Sequence, residues 1–329
     1  MTPRFSIVCT GRNDGYGVDF CERFFSALDF NHRELERRGI PHEFVLVEWA
    51  PGADRPWLAQ LVSERMPALE GVFTSYVVDP RYQDALSLNP RLRYLEYIAK
   101  NVGIRRARAP FVLTTNCDIC FSRPLLHALE QDDLRGRTVY RAARHDLRAS
   151  LAGTPLSWDV LEDPANLDGP APSLNPPLMA GATGDFVMLD RETFHGMGGF
   201  NEVYRLARLS IDRNFLTKAF SRGLTISDIG GPVFHINHAG SHRSERQEAR
   251  SADEDASRGY KRWHARGVVY ENPPTWGLAD APARRVGTGQ WYLDFSWSAV
   301  PPLVDLRRIL PAGDRGSGPQ PRRYVSLSK

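Results

Sequence analysis

Short apolar runs separate longer amphipathic stretches along most of this chain. The continuous apolar runs predict strands at Phe5 to Cys9, Phe44 to Val47, Thr74 to Val78, Phe111 to Leu113 and Ile226 to Phe234. Runs of this kind are typical of strands that are covered on both faces of a sheet. Together with the helical segments between them, they predict an open α/β sheet, which places its ligands at the carboxyl ends of its strands.

Two helical segments are prominent among these strands. Residues Val18 to Arg38 predict a helix after the first strand. A second helix is indicated by apolar residues at helical spacing, which are Leu95, Ile98 and Val102. One face of this helix should pack inward, with Lys100 at the end of the exposed face. Pro110 should stop the helix before the next strand.

Asn116, Cys117 and Asp118 follow the apolar strand that ends at Leu113. In an extended chain, residues two apart share a face, so Asn116 and Asp118 should point into one crevice while Cys117 points back. Such a pair can hold a divalent cation and the phosphates that this cation neutralises. The alternative is a turn that only ends the strand, because Asn and Asp are ordinary turn residues.

A glycine-rich loop, Thr10 to Gly17, follows the first strand. Its glycines match neither the spacing of a dinucleotide-binding fold nor that of a P-loop. The loop therefore either lines another kind of ligand or is a turn before the helix. At the end of the second strand, Glu48 offers a carboxylate that can accept two hydrogen bonds, whereas Trp49 is expected to pack.

Three histidines follow the last predicted strand, at positions 235, 238 and 242. Histidines beyond a strand end, combined with Asn116-Cys-Asp118 upstream, indicate metal ligands. Periodicity does not choose between His235 and His238, because both follow the strand end.

These motifs, in this order, resemble those of the GT-A glycosyltransferases over residues 4 to 242, especially the family 2-like and galactosyltransferase-like groups. The resemblance rests on Lys100-Asn-Val-Gly-Ile, on Asn116-Cys-Asp118 in the place of a D-x-D motif, and on the block Gly181 to Glu202. It implies a GT-A, Rossmann-like α/β fold: one large domain with a mixed, mainly parallel central sheet flanked by helices.

The resemblance also implies a set of residues that bind a nucleotide-diphosphate sugar: Thr10, Arg12, Asp14, Glu48, Lys100, Asn101, Asn116, Asp118, Gly184 and Asp185. Glu48 would accept from the base or ribose, and Lys100 would reach the diphosphate, with a solvated surface lysine as the alternative. Gly181 and Gly184 would let the backbone approach the donor sugar, and Asp185 would bind its hydroxyl groups. The Gly198-Gly199 turn is expected to be structural.

A divalent cation, Mn²⁺ or Mg²⁺, is implied in the same way, with Asp118 and His238 as ligands and His235 as the alternative ligand. Asp212, counted back from Gly223 at the end of its helix, lies where inverting members carry their catalytic base. Ile211 stands where these members have Glu, so one carboxylate of the usual pair is lost. Asp212 is equally a candidate N-cap of its helix, and the two roles are compatible.

Composition argues against several other classes of protein. The chain is 42% hydrophobic and 25% charged, which is typical of a soluble globular protein, and no apolar run approaches the roughly 20 residues of a membrane span. A signal-peptide pattern is lacking at the N-terminus. The net charge is only +3, and acidic residues interleave with the arginines, which argues against nucleic-acid binding.

The four cysteines, at positions 9, 21, 117 and 120, include one C-x-x-C but no second Cys/His pair at zinc-finger spacing. We therefore expect free thiols in a reducing compartment. The predicted location is cytoplasmic, with a peripheral position at the inner membrane face as an open alternative.

The domain organisation follows from these features. We expect a catalytic domain at residues 1–240, with a nucleotide-binding half at 1–120 and an acceptor half at 121–240. The irregular stretch Arg148 to Pro177 should form part of the acceptor rim. Residues 241–310 should be a lid and C-terminal extension, in which the charged stretch Ser241 to Arg258 would exclude water from the donor. Residues 311–329 should be a flexible tail.

The sequence thus predicts a metal-dependent glycosyltransferase that moves a sugar from a nucleotide-diphosphate sugar, by resemblance a UDP-sugar, to a hydroxyl group. The acceptor would be a glycan, a lipid-linked sugar or a small natural product. One alternative is a sugar-1-phosphate nucleotidyltransferase, although the chain lacks the Pro-Lys expected after the first loop. Another is a degenerate sugar-nucleotide-binding module, which Asn116 and Ile211 suggest.

Overall fold

The computed structural model of the protein describes residues 2–14, 19–90, 92–131, 133–171, 173–203, 205, 210–238, 269–304 and 326–327. In these ranges the helices are α1 Phe20–Arg37, α2 Leu58–Arg65, α3 Arg81–Leu86, α4 Glu96–Arg106, α5 Arg123–Glu130, α6 Trp158–Leu161, α7 Arg191–Gly196 and α8 Ile211–Ser221. The strands are β1 Phe5–Gly11, β2 His42–Trp49, β3 Phe73–Val78, β4 Phe111–Thr114, β5 Ile119–Phe121, β6 Thr138–Arg141, β7 Arg144–Leu147, β8 Val187–Asp190, β9 Thr225–Asp228, β10 Val233–Ile236, β11 Val269–Tyr270, β12 Ala283–Gly287, β13 Gln290–Leu293 and β14 Ser326–Leu327.

The central sheet has nine strands in the order β12-β13-β3-β2-β1-β4-β8-β6-β9. Seven of them run in one direction, whereas β8 and β12 run in the opposite direction. At the centre of the sheet, β1 pairs with β2 and with β4, and Phe5 of β1 lies opposite His42 of β2 and Phe111 of β4. The sheet is therefore mixed and mainly parallel, which confirms the predicted fold class.

Side chains of β1 alternate between two apolar cores, one on each face of the sheet. Ile7 packs in the core that contains Phe24 of α1. Val8 packs in the other core, with Ile104 of α4 and Phe215 of α8. Burial on both faces explains the continuous apolar runs that predicted the strands.

Helix α4 has no exposed face along its central part. Every residue from Tyr97 to Ile104 is buried, and Lys100 is fully enclosed. The prediction of a half-exposed helix with Lys100 on its solvent side is therefore wrong. The reason is tertiary: α4 lies on β1 and β2 and is itself covered by α7.

The end of α4 also differs from the prediction. The helix ends at Arg106, before Pro110 is reached. The next backbone amides are captured by side chains from the sheet, because the Arg108 amide donates to Glu43 and the Ala109 amide donates to Ser6.

The single strand predicted at Ile226 to Phe234 is in fact two strands in different sheets. β9 belongs to the central sheet, whereas β10 lies between β5 and β7 in a separate three-stranded sheet. Gly230, with φ of 93°, lies between them in a left-handed conformation that favours glycine and interrupts the strand. This break directs β10 and its histidine toward β5.

The C-terminal part of the described chain also contributes to the central sheet. β13 pairs in parallel with β3, and β12 pairs with β13. Residues 283–293, which the domain prediction placed in an extension, thus complete one edge of the sheet. The predicted lid at 241–258 and, apart from β14, the predicted tail lie outside the described residues. Among the described helices, none is long and apolar enough to cross a bilayer.

Candidate active site

The candidate site lies at the carboxyl ends of β1 and β4. After β4 the chain leaves the extended conformation, and a turn at Cys117 and Asp118 leads into β5. The thiol of Cys117 donates a 3.2 Å hydrogen bond to the carbonyl of Thr10, at the end of β1. All four cysteines are free thiols, as predicted.

Asp118, His235 and His238 converge beside this turn. Nε2 of His235 lies 3.7 Å from Oδ2 of Asp118, and Nε2 of His238 lies 3.8 Å from the same oxygen. None of the three side chains is more than 9% exposed. One carboxylate and two imidazoles form a donor set that fits a divalent transition metal ion. The sequence left the two histidines as alternatives, and the structure brings both to Asp118.

The charges around Asp118 keep its carboxylate ionised. Burial raises the pKa of Asp118, but His235, Arg23 and His238 together lower it by more, so the net direction is downward. Arg23 is buried, and its Nε donates to Oδ2 of Asp118 at 3.2 Å. For His235, burial lowers the pKa, but Asp118 and Asp146 raise it above the usual value.

Asp146 orients His235. Nδ1 of His235 donates to Oδ1 of Asp146 at 2.7 Å, which leaves Nε2 to face Asp118. A carboxylate on the outer nitrogen of a ligand histidine fixes its tautomer and ring orientation. The hydrogen bond between His235 and Asp146 is therefore of the kind that supports a histidine ligand in a metal centre.

Arg144 extends this network toward the loop before β8. Its guanidinium donates to Asp146 at 3.2 Å and to Oδ2 of Asp185 at 2.8 Å. Oδ1 of Asp185 accepts from the amide of Asn116 at 2.6 Å. Asn116 and Asp185, both predicted site residues, are thus joined to each other and to His235.

Lys100 is the centre of the next part of the network. Its ammonium contacts Glu96 at 2.9 Å, Oδ1 of Asn116 at 2.9 Å and the carbonyl of Gly184 at 2.8 Å. A lysine has three donors, so these contacts occupy all of them. The surface-lysine alternative is therefore wrong, and Lys100 holds the α4, Asn116 and Gly184 segments together.

Gly184 lies close to the predicted base. A Cβ atom at Gly184 would be 2.9 Å from the Tyr97 hydroxyl and 3.8 Å from Oδ2 of Asp212. Asp212 is the second residue of α8, with Ser210 at the N-cap position, and its carboxylate accepts from the Arg213 amide at 2.8 Å. Asp212 is therefore not the N-cap. Burial raises its pKa, and this effect exceeds the opposing hydrogen bond and positive charges.

Glu48 has a structural role in the fold. It is fully buried, and its two oxygens accept from the amides of Leu58 and Ala59, at the start of α2. Burial raises its pKa to about 7. This arrangement ties β2 to α2 and leaves the predicted contact with base or ribose without support.

Asn101 likewise makes contacts that hold the fold together. It is fully buried, and its amide donates to the Phe200 carbonyl and to Glu202. Gly199, with φ of 67°, faces the same side chain, since a Cβ there would lie 2.3 Å from Oδ1 of Asn101. Asn101 and the Gly198-Gly199 turn therefore lock α4 to the segment before α8, which agrees with the structural role expected for the turn.

The first loop is described only as far as Asp14. Arg12 donates to Asp14 at 2.7 Å and to the carbonyl of Arg93 at 2.7 Å. Thr10 is buried and accepts from Cys117 through its backbone. These residues lie near the turn of Asp118, and their contact with a nucleotide stays a prediction.

Arg23, Arg144 and Asp146 belong to the site but are absent from the sequence prediction. A weak signal exists for each of them. Arg23 lies within the apolar pattern of α1, and Arg144 and Asp146 are two apart on a short strand, so they share a face. Neither signal says which other element the charges meet.

No protein-family model and no curated protein matches the chain. It is similar to the solved structures of GalNAc-T7 with UDP, GalNAc and Mn²⁺, of S. aureus TarS 1-349 in complex with UDP, and of the catalytic domain of Drosophila β1,4-galactosyltransferase 7 with xylobiose. Sequence identities are 14%, 14% and 13%, and TM-scores are 0.46, 0.44 and 0.41. The matches cover 78%, 78% and 91% of this chain, and 50%, 69% and 98% of those chains. The chain thus spans half the length of the GalNAc-T7 chain. Likeness at this level carries no argument about function, which has to be argued from the site.

Proposed function

We propose that the protein is a metal-dependent glycosyltransferase that uses a nucleotide-diphosphate sugar, with a UDP-sugar as the donor. The observation that carries the proposal is the convergence of Asp118, His235 and His238 at the carboxyl edge of a mainly parallel sheet. Ligands of open α/β folds bind at this edge. The motif order that resembles GT-A enzymes supports the same donor class.

Asp118, His235 and His238 would hold the cation. A bound divalent cation would neutralise the donor diphosphate and stabilise the departing nucleotide. Imidazole ligands suit transition metals, whereas Mg²⁺ prefers oxygen, so this donor set favours Mn²⁺ over Mg²⁺. Asp146 keeps Nε2 of His235 available by holding the proton on Nδ1.

Asp212 would accept the proton of the acceptor hydroxyl. Burial raises its pKa, which makes it a stronger base than an ordinary exposed aspartate. Lys100 and Asn116 connect the part of the site around Gly184 and Asp212 to the metal ligands. These contacts would fix the base relative to the donor phosphates.

A panel of nucleotide sugars tests the proposal. Hydrolysis and transfer are measured for UDP-, GDP- and CDP-sugars, with Mn²⁺, with Mg²⁺ and with a chelator. We expect Mn²⁺-dependent release of UDP from one UDP-sugar, and faster release when an acceptor is added. Absence of release from every donor would contradict an enzymatic role.

A second function is favoured by a specific contact. Arg23 already places a buried positive charge on Asp118, and Asn116 and Ile211 replace carboxylates of the motifs that the chain resembles. These features favour a module that binds a sugar nucleotide without transferring the sugar. Such a module would be stabilised by UDP in thermal melts but would release no UDP from any donor.

A further inference from the structure

A second group of metal-ligating side chains lies at the other edge of the central sheet. His32 and Glu36 are on α1, and His42 is the first residue of β2. One ligand atom from each residue lies within 4.8 Å of the others. The candidate active site lies at the carboxyl ends of the strands, so the eight residues of β2 separate the two edges by roughly 20 Å.

The distance between the two imidazoles suits a shared metal ion. Nδ1 of His32 and Nε2 of His42 are 3.3 Å apart. Two nitrogens bound to one tetrahedral Zn²⁺, each at about 2.0–2.1 Å, are separated by roughly 3.3–3.4 Å. The same distance also admits a hydrogen bond between the two rings, which a shared ion would replace. The rings therefore already have the spacing of two ligands of one ion.

The tautomer of His42 is fixed in the form that a metal requires. Its Nδ1 lies 2.8 Å from the carbonyl of Ile40, and a carbonyl only accepts, so Nδ1 carries the proton. The lone pair of Nε2 is then directed toward His32.

Glu36 supplies a carboxylate beside these rings. It follows His32 by four residues on α1, so the two side chains share a face of the helix. Its side chain is 60% exposed, and its carboxylate lies 4.0 Å from His42 at the protonated Nδ1. The exposed carboxylate therefore has to swing toward Nε2 to join both imidazoles at one ion. The arginines nearby pair with other carboxylates, as Arg33 with Asp29, Arg37 with Glu34 and Arg38 with Glu130. These pairs do not involve Glu36, so its charge can balance that of a cation.

We propose that His32, Glu36 and His42 form a structural site for Zn²⁺, with water as the fourth ligand. Two imidazoles and one carboxylate favour Zn²⁺ over Mg²⁺, which prefers oxygen ligands. The ion fastens the carboxyl half of α1 to the start of β2. The rest of α1 carries Arg23, which contacts Asp118, so the same ion steadies a helix that supports the candidate active site.

Calorimetry and thermal melts with Zn²⁺ test this site in the full-length protein. The parent variant carries Asp118→Asn and His238→Ala, which removes ligands from the candidate active site. It should bind one Zn²⁺ per chain, and its melting temperature should rise with Zn²⁺ and not with Mg²⁺. Adding His32→Ala or Glu36→Gln should weaken Zn²⁺ binding at least about tenfold. The exposed His127→Ala is the matched control and should leave it unchanged.

Two results would overturn the proposal. One is a parent variant that melts cooperatively but binds no Zn²⁺. The other is Zn²⁺ binding that neither His32→Ala nor Glu36→Gln weakens. Glu36→Gln keeps the test decisive if His32→Ala fails to fold, because Glu36 is exposed and its replacement leaves the core intact.

Discussion

Replacement of Lys100 by Met tests the network that joins the two parts of the candidate site. The ammonium of Lys100 has three acceptors, on Glu96, Asn116 and Gly184, and no donor is left for a diphosphate. We therefore expect Lys100→Met to reduce stability strongly and to weaken UDP binding only indirectly. Met fills much of the same space, so the change removes charge and hydrogen bonds more than volume.

The expected loss of stability follows from the burial of the pair. Lys100 is fully buried, and the side chain of Glu96 is 15% exposed. Removal of one partner from a buried ion pair costs roughly 3–5 kcal/mol. Because Glu96 keeps some access to water, we expect a loss near the lower end, about 3 kcal/mol. The double variant Lys100→Met/Glu96→Gln should regain about 1 kcal/mol or more, since no charge is then left unpaired.

Urea unfolding at neutral pH measures these differences, and calorimetry with UDP and Mn²⁺ measures affinity. Lys218→Met, at another buried lysine, is the control for loss of stability remote from the site. The reasoning is refuted if Lys100→Met loses less than about 1 kcal/mol while UDP binding weakens more than about tenfold. That result would mean that Lys100 binds the diphosphate directly.

Three further changes test single residues. Asp146→Asn should lower Mn²⁺ affinity by roughly 10–100-fold, because His235 loses the carboxylate that orients it, and Mn²⁺ titration should show no such loss for the exposed Asp159→Asn. Asp212→Asn should reduce turnover by roughly 10²–10⁴-fold with donor affinity little changed, and a product that keeps the donor's anomeric configuration would refute the role of Asp212 as base. Glu48 binds its proton more tightly in the folded than in the unfolded state. Its contribution to the free energy of unfolding is therefore present below pH 4.5 and lost as the pH rises to about 7. This loss is about 3 kcal/mol. Between pH 4 and pH 8, the melting temperature should therefore decline less for Glu48→Gln than for the parent protein. Equal declines would contradict a buried Glu48 carboxylate with a raised pKa.

Strands β1 to β4 of the central sheet could be predicted because they are buried and appear in the sequence as continuous apolar runs, whereas β6, β8, β12 and β13 were not predicted. The turn at Asn116 to Asp118 and the late histidines were likewise visible as polar residues just after predicted strands, although His235 lies within β10. The contact of these histidines with Asp118 could not be predicted from the sequence. His235 reaches Asp118 because Gly230 ends β9 and lets β10 join a second sheet. Local patterns do not encode such a change of sheet.

Residues with two compatible roles were the hardest to predict. Lys100 is charged, so its position on a helix predicted an exposed side chain, yet it is fully buried and its ammonium contacts Glu96, Asn116 and Gly184. Glu48 and Asn101 match ligand-binding positions of the motifs that the chain resembles, but here they accept from helix amides or bind the turn at Gly199. A polar residue at a strand or helix end looks the same in the sequence whether it binds a ligand or the backbone.

The central claim is that Asp118 and the two histidines hold a cation against a nucleotide diphosphate. Calorimetry of UDP with and without Mn²⁺, for the parent protein and for Asp118→Asn, tests this claim most directly. We predict that Mn²⁺ strengthens UDP binding by the parent at least about tenfold, and that Asp118→Asn loses this gain while its melting remains cooperative. The account would be contradicted if Mn²⁺ did not change the UDP affinity of the parent protein, or if it raised the UDP affinity of both proteins equally.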